Sequence, residues 1–218
     1  MLGNVYAKHG LTGVHHESRI DRHQRARWLE SFRGTAQPGH TVTGIARDTA
    51  DVSNLPGLKT ETADATDAAQ LAYVLVGHDA VISASKFTSS DPEALLAAVK
   101  RAGVKRLLVV GDAATLEAAP GDILLDTPDF PDAYKPEAVA GQAFLNTLRQ
   151  ERDVDWTFLS PSAEFAPGVR TGNFRLGDDQ LLTDAQGKSW ISMEDYAIAL
   201  VDELETPQHS RQRFTVGY

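Results

Sequence analysis

Beyond residue 40 the chain alternates between short apolar runs and segments whose apolar residues recur three and four positions apart. Residues 41–46 (TVTGIA), 80–84 (AVISA), 106–110 (RLLVV) and 156–160 (WTFLS) read as strands, with another short one at 58–62. Between them, Leu71, Val74 and Leu75 mark a helix over 67–76, and Leu95, Leu96 and Val99 mark another over 91–102. Asp67 and Asp91 are placed to accept the free N–H groups at these helix starts, and Pro92 suits the first helical position, where no N–H is needed. Residues 135–149 and 193–205 supply two further helices. Ser192 caps the second, with Asp195 three residues on in place of the Glu or Gln of a capping box. This alternation predicts parallel strands joined by right-handed helical crossovers, a doubly wound α/β sheet. The expected organisation is one domain over residues 1–218, with an atypical segment at 1–40 and a regular portion at 41–218. Residues 113–134, rich in Asp and Pro, form a connection of the length that usually carries function.

Composition narrows the ligand class. The chain has 218 residues, 42% of them hydrophobic, which is enough for one substantial core. A formal charge of −9 opposes nucleic acid as a partner, because a phosphate-backbone binder needs a cationic face. Without cysteine there is no disulfide, no thiol nucleophile and no Cys-ligated metal. No apolar run approaches the roughly 20 residues that span a bilayer, and the N-terminus lacks the apolar stretch of a secretory signal. The expectation is a cytoplasmic protein with a small-molecule substrate and no membrane partner. Oligomeric state is left open, a homodimer included.

The first 40 residues differ in kind. They hold six basic residues, three acidic ones and five of the seven histidines, so they carry +3 and the remainder −12. Val14, Ile20, Trp28, Leu29 and Phe32 follow no period. His9, His15, His16 and His23 lack metal-ligand spacing and partnering carboxylates, so no metal is expected.

In an open parallel sheet the ligand lies over the carboxyl ends of the strands, which singles out the residues just after each apolar run. Arg47 follows the 41–46 strand, where a cation suits the 2′-phosphate of NADP; a solvated Arg at a strand end is the plain alternative, and Asp48 beside it blurs the signal. Asp64 and Ala65 follow the 58–62 strand, where an Asp either meets an adenine amino group or closes the turn. Ser83, Ala84 and Ser85 end the next strand, small enough for backbone to approach a flat ring or simply to pack tightly. Gly111 and Asp112 follow Val110, at the position that would face the reactive end of a dinucleotide or simply form a turn. Ser160 is expected at a turn after the Trp156 strand. Tyr134 and Lys135 are adjacent, and no Tyr-x-x-x-Lys pair exists anywhere in the chain, so the proton-transfer pair of short-chain dehydrogenases is missing. Lys135 and Tyr134 are the weak candidates for a catalytic role, and Lys135 for contact with a cofactor.

Taken together, GHTVTGIARD, ADATD, GHDAVISA, RAGVKRLLVVGDAATLE, DTPDFPDAYKPEA, DWTFLSPS, RTGNFRLG and ISMEDYAIALVDELETPQH resemble the atypical short-chain dehydrogenases of the NmrA-like and biliverdin reductase B-like group, often called NADH-flavin reductases. The resemblance runs from about Gly39 to Tyr218, and residues 126–138 are its most specific block. It implies a Rossmann-like domain with a small C-terminal substrate-side portion, binding NADP(H) or NAD(H); Arg47 turns the expectation toward NADP(H), and loss of any bound dinucleotide is the other outcome. It also implies that Arg47, Asp64, Ala65, Ser83, Ala84 and Gly111 line the dinucleotide. The implied activity is reduction of a small planar acceptor, flavin- or quinone-like; a non-catalytic dinucleotide-sensing regulator is the alternative.

One element of that family pattern is missing. A glycine-rich turn should stand about 30 residues upstream of Arg47, where its backbone would approach the pyrophosphate. The nearest text is Gly10-Leu11-Thr12-Gly13 after a stunted strand at 5–7, with His16 in the third glycine's place. Gly10, Thr12 and Gly13 are therefore the candidates for the phosphate turn. Three accounts remain open: divergence that keeps a partial turn, replacement that abolishes dinucleotide binding, and a frameshift upstream of Gly39, since glycine and alanine codons of a GC-rich gene read out of register give Arg, His, Gln and Pro.

Overall fold

The computed structural model describes residues 4–7, 11–14, 41–48 and 58–218. At its centre stand strands buried on both faces, which is why their sequences are continuously apolar rather than alternating: β3 (Val42–Ala46), β5 (Ala80–Ser83), β6 (Arg106–Val110) and β9 (Asp155–Pro161). They join β1 (Asn4–Ala7), β2 (Leu11–Val14), β4 (Leu58–Thr62), β11 (Arg175–Gly177) and β13 (Gln212–Gly217) in a sheet of order β11-β13-β9-β6-β5-β2-β1-β3-β4. Parallel ladders run β13–β9–β6–β5–β2 and β3–β4. β1 is antiparallel to β3, and β11 to β13.

Helices α1 (Ala68–Leu75), α2 (Pro92–Arg101) and α3 (Lys135–Gln150) cover one face of the sheet, and α4 (Met193–Glu205) covers the other. Successive strand residues point to opposite faces. Val81, Leu107, Val109 and Phe158 therefore pack with Leu71, Leu75, Leu95, Val99 and Phe144, while Ile82, Leu108, Val110 and Leu159 pack with Tyr196, Leu200 and Phe214. Each such fully buried side chain contributes about 1.5–3 kcal/mol of transfer free energy.

Local signals act as the sequence predicts. The Asp67 carboxylate accepts from the N–H groups of Ala69 and Gln70, and that of Asp91 from Glu93 and Ala94. Ser192 Oγ accepts from Asp195 N at 3.0 Å. The reciprocal half of a capping box is absent, because the Asp195 carboxylate is taken up by Thr171, Gly172 and Tyr218.

Other expectations need correction. Residues 113–134 are not a bare loop: they contain a small hairpin, β7 (Glu117–Ala119) with β8 (Asp122–Ile123), and two 3-10 turns at Leu124–Asp126 and Asp132–Tyr134. β9 runs through Pro161, so Ser160 lies inside a strand and not in a turn. β13 and the parallel pair β10 (Glu164–Ala166) and β12 (Trp190–Ser192) went unread, since short runs such as EFA and WIS carry too little periodicity to stand out.

Candidate functional site

The chain steps outward from β3 to β4 and then returns through α1 to β5, on the far side of β1 and β2. Strand order therefore reverses between β3 and β5, and a ligand crevice belongs outside the carboxyl ends there. Because β3, β4, β5, β6 and β9 point the same way, the residues after them share one edge of the sheet.

At the β3–β4 end, Arg47 Nη1 lies 3.8 Å from Asp64 Oδ2. Asp64 Oδ1 accepts from Thr66 N at 2.9 Å and Thr66 Oγ1 at 2.8 Å. The Thr66 backbone N–H, its hydroxyl and the nearby Arg47 charge hold the Asp64 carboxyl below the usual carboxylate range. One oxygen thus closes the turn, the role given by the plainer reading of Asp64, and the other faces Arg47. Ala65 sits half-buried in that turn against the core. Ser83, Ala84 and Ser85, at the end of β5, are buried, and Ser85 Oγ has no hydrogen-bond partner.

At the β6–β9 end a cavity of about 490 Å³ opens. Its wall is mainly apolar, with Val110, Phe130, Pro161, Phe165 and Met193 among its residues, and it also includes Asp112, Tyr134, Glu137 and Ser162. Four different segments build it, so no single stretch of sequence announces it. Helix α3 begins at its rim: Glu137 accepts from Phe87 N at 2.6 Å and from Thr88 Oγ1 at 2.7 Å, tying α3 to the 3-10 turn after β5.

Asp112 is the unusual group in this cavity. Its Oδ1 accepts from Ala114 N at 2.8 Å, while Oδ2 has no partner. Burial pushes the Asp112 carboxyl up to about 7, with repulsion from Glu137 adding to it, while the Ala114 and Thr115 N–H groups and the Arg213 charge act in the opposite direction. Space for this carboxyl comes from Gly141 on α3, where a Cβ would stand 1.9 Å from Oδ2. Sequence reading placed Asp112 at a strand end but did not single it out. The available signal was an acid directly after a fully buried strand.

The sequence-predicted residues fall into distinct places. Arg47, Asp64, Ala65 and the 83–85 run lie at strand ends on the crevice edge. Gly111 lies there too, but its N–H donates to Leu159 O at 2.8 Å and a Cβ would stand 2.2 Å from the Phe158 ring, so close packing of β6 on β9 already requires glycine. Ser160 is fully buried within β9, its Oγ unpartnered and its carbonyl accepting from Thr215. Tyr134 lines the cavity and is half exposed. Lys135 is not brought to it; its Nζ pairs with Asp132 at 2.7 Å on the surface. Thr12 and Gly13 stand inside β2, paired with Val81 and Ile82, and not in a turn. Gly10 and the four N-terminal histidines lie outside the described residues. Among the described residues no group of His, Cys, Asp and Glu is arranged to hold a metal ion, and no helix is long and apolar enough to cross a membrane.

Comparison with known proteins agrees with this architecture. The protein YwnB of Bacillus subtilis (strain 168) is 38% identical over 199 residues, 86% of this chain and 91% of its own length. A "putative epimerase" from Bacteroides thetaiotaomicron superposes with a TM-score of 0.80 at 38% identity, covering 91% of this chain and 93% of that one. A "putative NADH-flavin reductase" from Streptococcus pneumoniae TIGR4 superposes with a TM-score of 0.71 at 32% identity, covering 90% and 94%. A "putative exported protein" from Burkholderia pseudomallei is 43% identical with a TM-score of 0.75, covering 87% and 91%. Residues 33–207 match the model of the NAD(P)H-binding family, and with most of its length so matched the chain belongs to that family.

Proposed function

We propose that the protein is an NAD(P)H-dependent oxidoreductase that passes a hydride to a small planar acceptor of the flavin or quinone class, with NADP(H) preferred over NAD(H) and residues 1–218 acting as one dinucleotide-binding domain. The observation that carries this reading is the 490 Å³ cavity over the carboxyl ends of β6 and β9, on the same sheet edge as Arg47. Phe130, Tyr134, Pro161 and Phe165 offer flat apolar surface to a planar ring, which is the chemistry such an acceptor needs. The Streptococcus pneumoniae relative, called a "putative NADH-flavin reductase", supports the same class.

Two residues at the described strand ends suit parts of a dinucleotide. Arg47 would hold the ribose 2′-phosphate, which is the basis for preferring NADP(H). Ser85, a buried hydroxyl without a partner at the crevice edge, is a donor in want of an acceptor. When bound, the nicotinamide supplies the hydride; the protein supplies orientation and exclusion of water.

Calorimetric titration with NADPH and NADH, followed by NADPH consumption with riboflavin, FMN and short-chain quinones, tests the proposal. Binding with turnover of at least one acceptor is the expected result. Binding without consumption would favour a dinucleotide-sensing regulator, a reading that the missing Tyr-x-x-x-Lys pair and the engagement of Lys135 with Asp132 favour. No binding of either dinucleotide would show that the altered N-terminal segment has abolished the site.

A further inference from the structure

We propose that Asp112 is the residue that exchanges a proton with the acceptor held in the β6–β9 cavity. This rests on the oxidoreductase reading above and supplies what that reading lacks, a proton donor. Of the other groups, Tyr134 lines the same wall but is half exposed to solvent, and Ser162 Oγ donates to Val216 O. Tyr196 is fully buried and its hydroxyl donates to Leu159 O at 2.7 Å; Lys135 is paired with Asp132 on the surface. Asp112, by contrast, belongs to the cavity wall at the carboxyl end of β6.

The surroundings of Asp112 favour a carboxyl that holds a proton rather than a charge. A buried carboxylate needs donors for both oxygens. Oδ1 accepts from Ala114 N, with the Thr115 N–H nearby, whereas Oδ2 rests against the Cα face of Gly141 without a partner. The charged and titratable groups facing it from the packed elements are Glu137 on α3, Arg213 on β13 and Tyr196 on α4. Glu137 raises its proton affinity and Arg213 lowers it, but Arg213 is itself engaged with Asp179. The balance, dominated by burial, leaves the group near half-protonated at neutral pH, where a proton donor is most useful.

A bound reduced nicotinamide would supply the hydride, and Asp112 would give the acceptor its proton. The carboxylic O–H bond breaks, a bond from that hydrogen to a nitrogen or oxygen of the acceptor forms, and the acceptor is reduced by two electrons. The carboxylate left behind takes a proton from solvent. A half-turn about Cβ–Cγ, a soft and roughly two-fold torsion, exchanges the two carboxyl oxygens and so would move the proton away from Gly141.

Wild type and the isosteric variant Asp112→Asn decide the matter. In the protein without dinucleotide, infrared spectroscopy at pH 6 is expected to show a carboxylic C=O band that titrates near neutrality and is missing from Asp112→Asn. NADPH affinity by calorimetry is expected to agree within about twofold between the two proteins, whereas kcat/KM for the acceptor falls on the order of 100-fold at pH 6. The wild-type kcat/KM declines as pH rises through about 7, and the variant loses that limb. As a second variant, Gly141→Ala, which pushes the carboxyl from its slot, is expected to move the same infrared titration toward the ordinary carboxylate range. Wild-type turnover matched by Asp112→Asn at every pH would overturn the proton-donor role alone; absence of NADPH binding or turnover in wild type would overturn the oxidoreductase reading and this role together.

Discussion

Arg47 and Asp64 stand at the carboxyl ends of adjacent strands with Nη1 and Oδ2 3.8 Å apart and each side chain about two-fifths exposed. A pair this loose and this wet is worth little in stability, so giving it up costs little. A ribose 2′-phosphate approaching the crevice would offer a doubly charged partner and a bidentate geometry. Arg47→Ala is therefore expected to weaken NADPH by about 10-fold or more, the loss of one charge-assisted hydrogen bond, while NADH changes little. Calorimetry with both dinucleotides checks this; equal losses would discredit the phosphate role.

The buried Asp112 carboxyl makes stability depend on pH. Its proton affinity is raised on folding, so its favourable contribution is complete below the unfolded value of 3.8 and is lost as pH rises through about 7. Asp112→Asn has no such titration. Its thermal stability relative to wild type is expected to improve steadily between pH 5 and pH 8, by on the order of 2 kcal/mol across that window. Calorimetric melting at several pH values measures it. A gap that stays constant with pH would mean that Asp112 titrates as an ordinary surface acid.

Gly141 is the complement of Asp112. A methyl group at 141 would stand 1.9 Å from Asp112 Oδ2 and 3.0 Å from the Phe87 ring. Gly141→Ala removes a helix-interior glycine, which alone would stabilise α3 by about 1 kcal/mol. Overpacking opposes that gain at about 1–3 kcal/mol. The single variant is expected to be less stable than wild type, and Asp112→Ala in the same chain to recover most of the loss. A double-mutant cycle by denaturant unfolding reads the coupling, and additive effects would contradict the collision.

Glu137 latches the start of α3 to the turn after β5. Its carboxylate accepts from Phe87 N, Thr88 N and Thr88 Oγ1. Phe87 is buried and stacks on Phe158 with ring centroids 5.9 Å apart, so loss of the latch frees a wall that supports both the core and the cavity. Glu137→Ala is expected to destabilise by about 1–3 kcal/mol, because the Phe87 N–H loses its partner in a partly buried place. Hydrogen exchange of the Phe87 and Thr88 amides should accelerate well beyond that of β6; unchanged exchange would argue against the latch.

Much of the fold is written locally. Continuous apolar runs such as RLLVV identify strands buried on both faces, Asp67, Asp91 and Ser192 mark helix starts, and all three side chains make the cap bonds expected of them. These signals depend on neighbours within a few residues, so a single chain suffices to read them. The strand-end positions at Arg47, Asp64 and Ser83–Ser85 follow from the same reading once parallel connections are assumed. Short strands such as β10 and β12 escape it, because three residues carry no period and are held by each other rather than by propensity.

What tertiary structure decided is the chemistry available to each side chain. Asp64 and Asp112 both follow strands at the crevice edge, Asp64 after LKTET and Asp112 after the buried run RLLVV, but neither sequence shows what will face the carboxyl. Folding gives Asp64 the donors of Thr66 and the charge of Arg47, which lower its proton affinity, and presses Asp112 against Gly141 with one oxygen unpartnered, where burial raises it. Gly141 is 29 positions from Asp112. Desolvation depends on everything that packs around a group in space, which is why an acid's proton affinity was invisible along the chain while the strand that carries it was plain.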